Sequence, residues 1–435
     1  MRHVLSLAVI LALVTGAYGT TYYVATNGSD SNPGTLAQPW ATLQYAVNTI
    51  ANGDTIIVLP GTYAGCRIEL SGASGAPKTL KAQTAGSVLL NALGPVNRHN
   101  RILEVENYSA AVNYWVIDGF EINGNNTIGG YDSRSVDTQM NNNITAQNLI
   151  VHNAKNGTSV CTGIFSAFTN YALIQYCTSY SNAEHGCYVN NSCDNGVVRC
   201  NTFYSNASLG VHMNGDKSMG GDGQMTGWVI ERNKSYANGS NGFDGDGVSS
   251  SIWKNNLAYD NVSKGIHLTQ ADGTSNPSYD KVYNNTLVVH IGGYYCLNFY
   301  KGKSKTGGNN NSVFNNILYN YDINNSMRGS LMYITTWMPT FQSNYNVVVN
   351  RFGCNDNRYK YTLAEWRAAW GKDMNSTLCL DATALFVDDV NHNFHLKSTS
   401  PAINAGTTLA DVTNDMDGEV RPQGGGYDAG CYEDF

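Results

Sequence analysis

Five copies of one short phrase carry the side chains that could do chemistry. Aligned on a glycine, four read Gly186-Cys187-Tyr188-Val189-Asn190, Gly210-Val211-His212-Met213-Asn214, Gly242-Phe243-Asp244-Gly245-Asp246 and Gly265-Ile266-His267-Leu268-Thr269. A degenerate fifth reads Cys296-Leu297-Asn298-Phe299-Tyr300. Their third and fifth residues include two His, two Asp and two Tyr, groups that exchange protons, hold cations or stack on sugar rings. A merely solvated face would favour Thr, Ser, Lys and Glu, so the plain alternative is the polar exterior of a repeat protein.

These residues act together only if strands line them up. Strand side chains alternate between two faces, so Cys187, Val189, Val211, Met213, Ile266, Leu268, Leu297 and Phe299 are expected to enter a core. The copies begin 23 to 32 residues apart, a period of stacked repeats. Stacking places Tyr188, His212, Asp244, His267 and Asn298 in one outward strip, with Asn190, Asn214, Asp246, Thr269 and Tyr300 beside them. A second phrase ends at Cys177, Asn201, Asn233, Asn256, Asn285 and Asn316. Stacked asparagines at a bend can hydrogen-bond from rung to rung, which marks this register as structural.

The pattern specifies an all-β, single-stranded right-handed parallel β-helix. An N-terminal helix with Leu43, Ala46, Val47 and Ile50 on one face should cap its open edge. The expected organisation is a signal peptide at 1–19, a β-helix with its cap at 20–325, and C-terminal rungs and a cap at 326–435. Within that last part Thr362 and Glu365 form a capping-box signature before Trp366 and Trp370, tryptophans expected to pack, and Phe394 to Phe435 reads as a closing cap.

Glycine at 45 residues, proline at 9 and charged residues at 14% suit short strands joined by tight turns. A net charge of −7 without a basic stripe excludes nucleic-acid binding. The start, with Arg2, His3, an apolar run from Leu5 to Val14 and small Ala17 and Gly19, reads as a signal peptide, and no later apolar run is long enough to span a membrane. A secreted monomer is expected, and ten cysteines in an exported chain predict some disulfides, although Cys187 equally suits a small core position.

Extra residues at Lys217 to Gln224, Gln270 to Tyr279 and Lys301 to Asn309 leave the coil on one side of the strip. They could wall a groove several rungs long, which suits a polysaccharide. Asp216, Asp222 and Asp246 are candidate Ca2+ ligands, the first two on a glycine-rich turn. Lys217 and Lys301, with Lys234, Lys264, Lys303 and Lys305, suggest an anionic polymer, and Asn214, Asn298 and Tyr300 are placed as further substrate contacts. His212 and His267 could supply base and acid for β-elimination, with Tyr188 or Tyr300 as the other partner. The rival is inverting hydrolysis through paired carboxylates from Asp244, Asp246 and Asp216. The third reading is a non-catalytic carbohydrate-binding or surface protein.

Three stretches carry a family resemblance: Tyr22-Tyr23-Val24 through Gly61-Thr62-Tyr63, the strand phrases ending in Asn-Asn, and Ser400 to Gly406 with Gly426 to Gly430. In these the chain resembles secreted β-helix proteins of the pectate-lyase superfamily along nearly its whole mature length. The resemblance implies the fold and an activity on polysaccharides, most directly a lyase cleaving an acidic, uronate-containing polymer. It also brings Ca2+ into view. Superfamily members that depend on Ca2+ use a lysine or arginine base, and no lysine here is aligned to that place.

Overall fold

The computed structural model describes residues 19–434 except 96–99, 108, 126–128, 135–140, 156–160, 219, 301–307, 323–328, 334–337 and 355–358. Residues 1–18 of the expected signal peptide and Lys301, Lys303 and Lys305 fall outside the described residues. Three twelve-stranded sheets run the length of the molecule, and successive coils add a strand to each. The first runs from Thr21–Val24 to Gln342–Asn344, the second from Gly61–Ala64 to Thr377–Leu378, and the third from Cys66–Ile68 to Tyr359–Tyr361. Pairing within them is parallel except at the last pair of the third sheet, Phe352–Cys354 with Tyr359–Tyr361. The strands at Gly329–Tyr333, Val347–Val348 and Phe352–Cys354 continue these same sheets, so the coil extends well past residue 325.

The core is the lumen of the coil. Cys187, Val189, Val211, Met213, Ile266, Leu268, Leu297 and Phe299 are all fully buried in it, as the alternation requires. The repeated glycine is explained at the corner: a Cβ on Gly186, Gly210 or Gly242 would stand 2.7, 2.6 or 3.0 Å from the carbonyl oxygen of the next copy's glycine. Gly245 takes a core position for a related reason. Trp253 and Leu268 fill the lumen there, at 3.1 and 2.9 Å from where its Cβ would lie.

The asparagine register is a continuous ladder. Asn201, Asn233, Asn256, Asn285 and Asn316 each donate from Nδ2 to Oδ1 of the next, ending on Asn346, at 2.9–3.0 Å. A second ladder, Asn182, Asn206, Asn238 and Asn261, runs along another corner. Beside it the rings of His152, Tyr180, Tyr204, Tyr236 and Tyr259 stack 4.8–5.0 Å apart, one per rung.

The helix Leu43–Thr49 buries Leu43, Ala46 and Val47 over the first coils. At the far end the helix Leu363–Trp370 opens on the expected capping box, and Trp366 lies fully buried against Tyr333 and Phe352. The tail beyond it runs back along the flank. Lys254 Nζ donates to the Asp411 carbonyl, Asn255 Nδ2 to that of Asn414 and Arg232 Nε to that of Met416. The second sheet explains this route: its outward Leu257, Tyr259, Val288, Ile317 and Tyr319 are apolar or aromatic, and tail residues such as Phe394, Ala402 and Cys431 bury them.

The ten cysteines are free thiols, which overturns the expected disulfides. Nine are buried and Cys200 is partly exposed: Cys187 and Cys177 lie in the lumen, Cys354 in the same lumen at its far end, and Cys379 and Cys431 under the tail. Lys234 belongs to the second sheet, over the Tyr236 and Tyr259 rings, and not to the face that carries the strip.

Candidate active site

The third sheet sets the strip in register. Tyr188 pairs with His212, His212 with Asp244, Asp244 with His267 and His267 with Asn298, on strands from Cys187–Asn190 to Tyr295–Phe299. Asn190, Asn214, Asp246 and Thr269 form the second column.

At the centre is an ionised carboxylate holding an imidazole. Asp244 Oδ2 accepts His267 Nδ1–H at 2.9 Å and Asn241 Nδ2–H at 2.6 Å. Burial alone would push the Asp244 carboxyl up, but the charge and hydrogen bond of His267, with His212 and Asn241, hold it below the ordinary aspartate range. Because a carboxylate can only accept, neutral His267 carries its proton on Nδ1 and leaves the Nε2 lone pair free. On the preceding side His212 stacks on Tyr188 with ring centroids 4.6 Å apart and planes 8° apart. Burial lowers the His212 pKa and pushes the Tyr188 phenol up to about 12, so at neutral pH the phenol keeps its proton. Tyr188 Oη accepts from Asn214 Nδ2 at 3.2 Å.

The predicted substrate contacts are distributed around this centre. Asn298 is buried in register beyond His267, and Tyr300 is 40% exposed with its ring centroid 6.4 Å from that of His267. Lys217 is exposed on its loop. The loops interlock, Thr274 donating from its backbone N–H to the Gly223 carbonyl and from its hydroxyl to that of Asp222.

The aspartates proposed for Ca2+ have other partners. Asp246 accepts backbone N–H groups of Ala271, Asp272 and Gly273 at 2.7, 2.8 and 3.2 Å, and so pins the loop that follows Gln270. Asp216 takes the backbone N–H and hydroxyl of Ser218, and Asp222 the backbone N–H of Gln224, each closing a local turn. Among the described residues no three His, Cys, Asp or Glu side chains gather as a metal cluster. This donor set does not fit a Ca2+ ion, which needs several oxygens converging on one point.

A neighbouring column, of which only Lys264 stood out in the sequence, lies beside the strip. The residue before each repeated glycine, His185, Leu209, Asn241, Lys264 and then Tyr295, stacks along the edge of the strip through backbone bonds such as Gly186 N–H to the Leu209 carbonyl. Asn241 touches Asp244 directly. Lys264 is half-buried, with Nζ 5.6 Å from the Tyr294 ring centroid; burial lowers its pKa and the Asp244 charge partly restores it. Among the described residues Lys264 forms no ion pair. A His, an Asn and a Lys recurring just before the glycine were the signal for this column.

Comparison with known proteins agrees with this architecture. The family model described as Pel9A-like, right handed beta helix region matches residues 22–192. A curated relative, pectate lyase PEL9 of Emericella nidulans, is 34% identical over 89 residues, which is 20% of this chain and only 22% of that protein. Among solved structures, pectate lyase Pel9A superposes over 96% of both chains with a TM-score of 0.62 at 18% identity. A rhamnogalacturonan lyase does so over 75% of this chain and 87% of its own, with a TM-score of 0.54 at 17% identity. The three twelve-stranded sheets, together with these matches, make the chain a right-handed parallel β-helix whose residues 22–192 are similar to the Pel9A-like β-helix region.

Proposed function

We propose that the chain is an exported polysaccharide lyase that cleaves a uronate-containing polymer by β-elimination, with His267 as the base. The observation that carries this reading is the pair of buried Asp244 and partly buried His267 at the middle of the strip. Asp244 fixes the ring and stabilises the imidazolium formed when Nε2 takes a proton. Lys264, a cation without an ion-pair partner among the described residues, faces the same carboxylate field and suits the acid group of a uronate.

In this reading His267 Nε2 removes the proton at sugar C5. The C–H electron pair becomes the C4–C5 double bond, the C4–O4 bond breaks, and the departing oxygen takes a proton. Tyr300, one rung beyond His267, is the donor. His212 lies two rungs from His267, roughly 10 Å at the ~4.8 Å strand spacing. That separation suits a neighbouring sugar better than the other end of the same bond, so His212 and Tyr188 are assigned to substrate contact.

The hydrolytic alternative is less favoured by the hydrogen bonding. Asp246 is committed to three backbone N–H groups, Asp216 to Ser218, and Asp244 to His267 and Asn241. The test is to incubate the protein with a panel of uronate polymers, following ultraviolet absorbance of unsaturated ends beside new reducing ends. Both should rise together. Reducing ends without absorbance would replace the lyase by a hydrolase, and silence in both assays would favour a binding protein.

A further inference from the structure

His185 is 5% exposed and has no part in the elimination chemistry, yet it touches the strip at three points. Its ring packs edge-on to Tyr188 and to His212, at centroid distances of 5.1 and 4.8 Å. The backbone N–H of Leu209 donates to His185 Nδ1 at 3.3 Å. On its other side, His185 Nε2 stands 3.3 Å from His212 Nδ1 and 3.5 Å from Glu184 Oε1.

These contacts fix protons. Burial first, and then the neighbouring His212, hold the His185 pKa down to about 3 against a smaller opposing pull from Asp244, so at neutral pH the ring carries one proton. A backbone N–H can only donate, so Nδ1 must be the bare acceptor and the proton sits on Nε2. That proton points to two acceptors, Glu184 Oε1 and His212 Nδ1. His212, itself kept neutral by burial, then has its Nδ1 occupied as an acceptor and carries its own proton on Nε2. Among the described residues no hydrogen bond is made by His212 Nε2.

We infer that His185 is a positioning residue that locks His212 as an Nε2–H donor, aimed at an acceptor oxygen of the bound saccharide. The two strip histidines are thereby set to opposite polarity. His267, with Nδ1–H held by Asp244, offers a lone pair at Nε2, while His212, with Nδ1 occupied by His185, offers a proton there. A donor fixed without a charge discriminates by geometry: it binds an oxygen acceptor and leaves an ammonium at that place unpaired. The strip would therefore favour a carboxylate, hydroxyl or ring oxygen at the subsite two rungs before the base. Only the identity of the ligand rests on the lyase reading; the proton assignment does not.

The experiment is nitrogen-15 spectroscopy of the full-length protein labelled at histidine, near neutral pH, with the His212 signals assigned by their loss in His212→Gln. His212 should show a protonated Nε2 and an unprotonated Nδ1. In His185→Phe, which keeps an aromatic ring but has no donor, the His212 tautomers should mix. In His185→Gln, whose amide both accepts and donates, the Nε2–H form should persist. A His212 protonated at Nδ1 in the parent protein, or one unchanged in His185→Phe, overturns the inference. If His185→Phe does not fold, the parent and His185→Gln spectra decide alone. As a separate arm, a uronate oligosaccharide that binds the parent should bind a folded His185→Phe about tenfold more weakly, or about 1.4 kcal/mol. Unchanged affinity would sink the assignment of His212 to the saccharide, while a parent protein that binds no uronate would fault the lyase reading and leave the tautomer result standing.

Discussion

Replacing Asn256 by leucine tests how the rungs are held in the register that builds the strip. Asn256 is fully buried, and its side chain makes four hydrogen bonds. Nδ2 donates to Asn285 Oδ1 at 3.0 Å and to the Ile230 carbonyl at 2.8 Å, while Oδ1 accepts the Asn233 backbone N–H at 3.1 Å and its Nδ2 at 3.0 Å. Leucine fills a similar volume and removes all four. Asn233 Nδ2 keeps its bond to the Val198 carbonyl, and Asn285 Oδ1 keeps the backbone N–H of residue 256, but the Asn233 N–H is left buried without its acceptor. One orphaned buried group at about 1–3 kcal/mol, plus three lost bonds at roughly 0.5–1.5 kcal/mol each, gives a destabilisation of roughly 2.5–7.5 kcal/mol. Equilibrium denaturation should show a lower midpoint. Asn256→Asp adds an internal control, because its second oxygen would face the Asn285 Oδ1 and Ile230 carbonyl acceptors. Its carboxyl pKa in the folded state should rise, so the penalty should be full above that raised folded-state pKa and fade as the pH falls from it to the unfolded aspartate pKa. A change below about 1 kcal/mol for the leucine variant would refute the ladder's energetic role.

Further outcomes follow from the strip and the core. Asp244→Asn keeps the shape but removes the charge that stabilises the His267 imidazolium; turnover should fall on the order of 10- to 100-fold, the worth of a charge-assisted hydrogen bond, as read by initial rates of unsaturated product. Stability should decline in acid. His185 stays neutral when folded but has an ordinary pKa unfolded, so the unfolded chain binds more protons between pH 6.5 and about 3, and stability rises with pH across that window. Going from pH 7 to pH 4 should cost about 3 kcal/mol from this residue, and His185→Gln should flatten the dependence in denaturant titrations. The ten thiols should resist a thiol reagent in native protein, Cys200 reacting first because it alone is partly exposed, and all ten should react after unfolding without a reductant.

The strip was legible because strand alternation is a period-two code and the five phrases are in phase. Val211 and Met213 announce the lumen, and His212 follows as the outward residue between them. The first asparagine ladder was legible for the same reason. The second was hidden although Tyr180, Tyr204, Tyr236 and Tyr259 each stand two residues before one of its asparagines, because a polar residue after a tyrosine also reads as an ordinary turn. His185 and Asn241 escaped, and Lys264 was legible only as a cation near the strip, because a corner residue has no alternation to orient it. The carboxylates misled in the other direction. Asp216 and Asp222 carry the same Asp-Gly and Asp-x-Ser signals whether they bind a metal or close a turn, and only the N–H groups of Ser218 and Gln224 distinguish the two. The path of the tail along the second sheet could not be read from a sequence that shows only its own apolar residues and not the exposed aromatic face awaiting them.

The most direct test of the central claim is His267→Ala on a uronate polymer that the parent protein cleaves, with product formation and oligosaccharide binding measured on the same preparation. With His267 as the base, unsaturated product should vanish from the variant while the dissociation constant stays within a few-fold of the parent. Unsaturated product at the parent rate would contradict the account and move the base elsewhere on the strip.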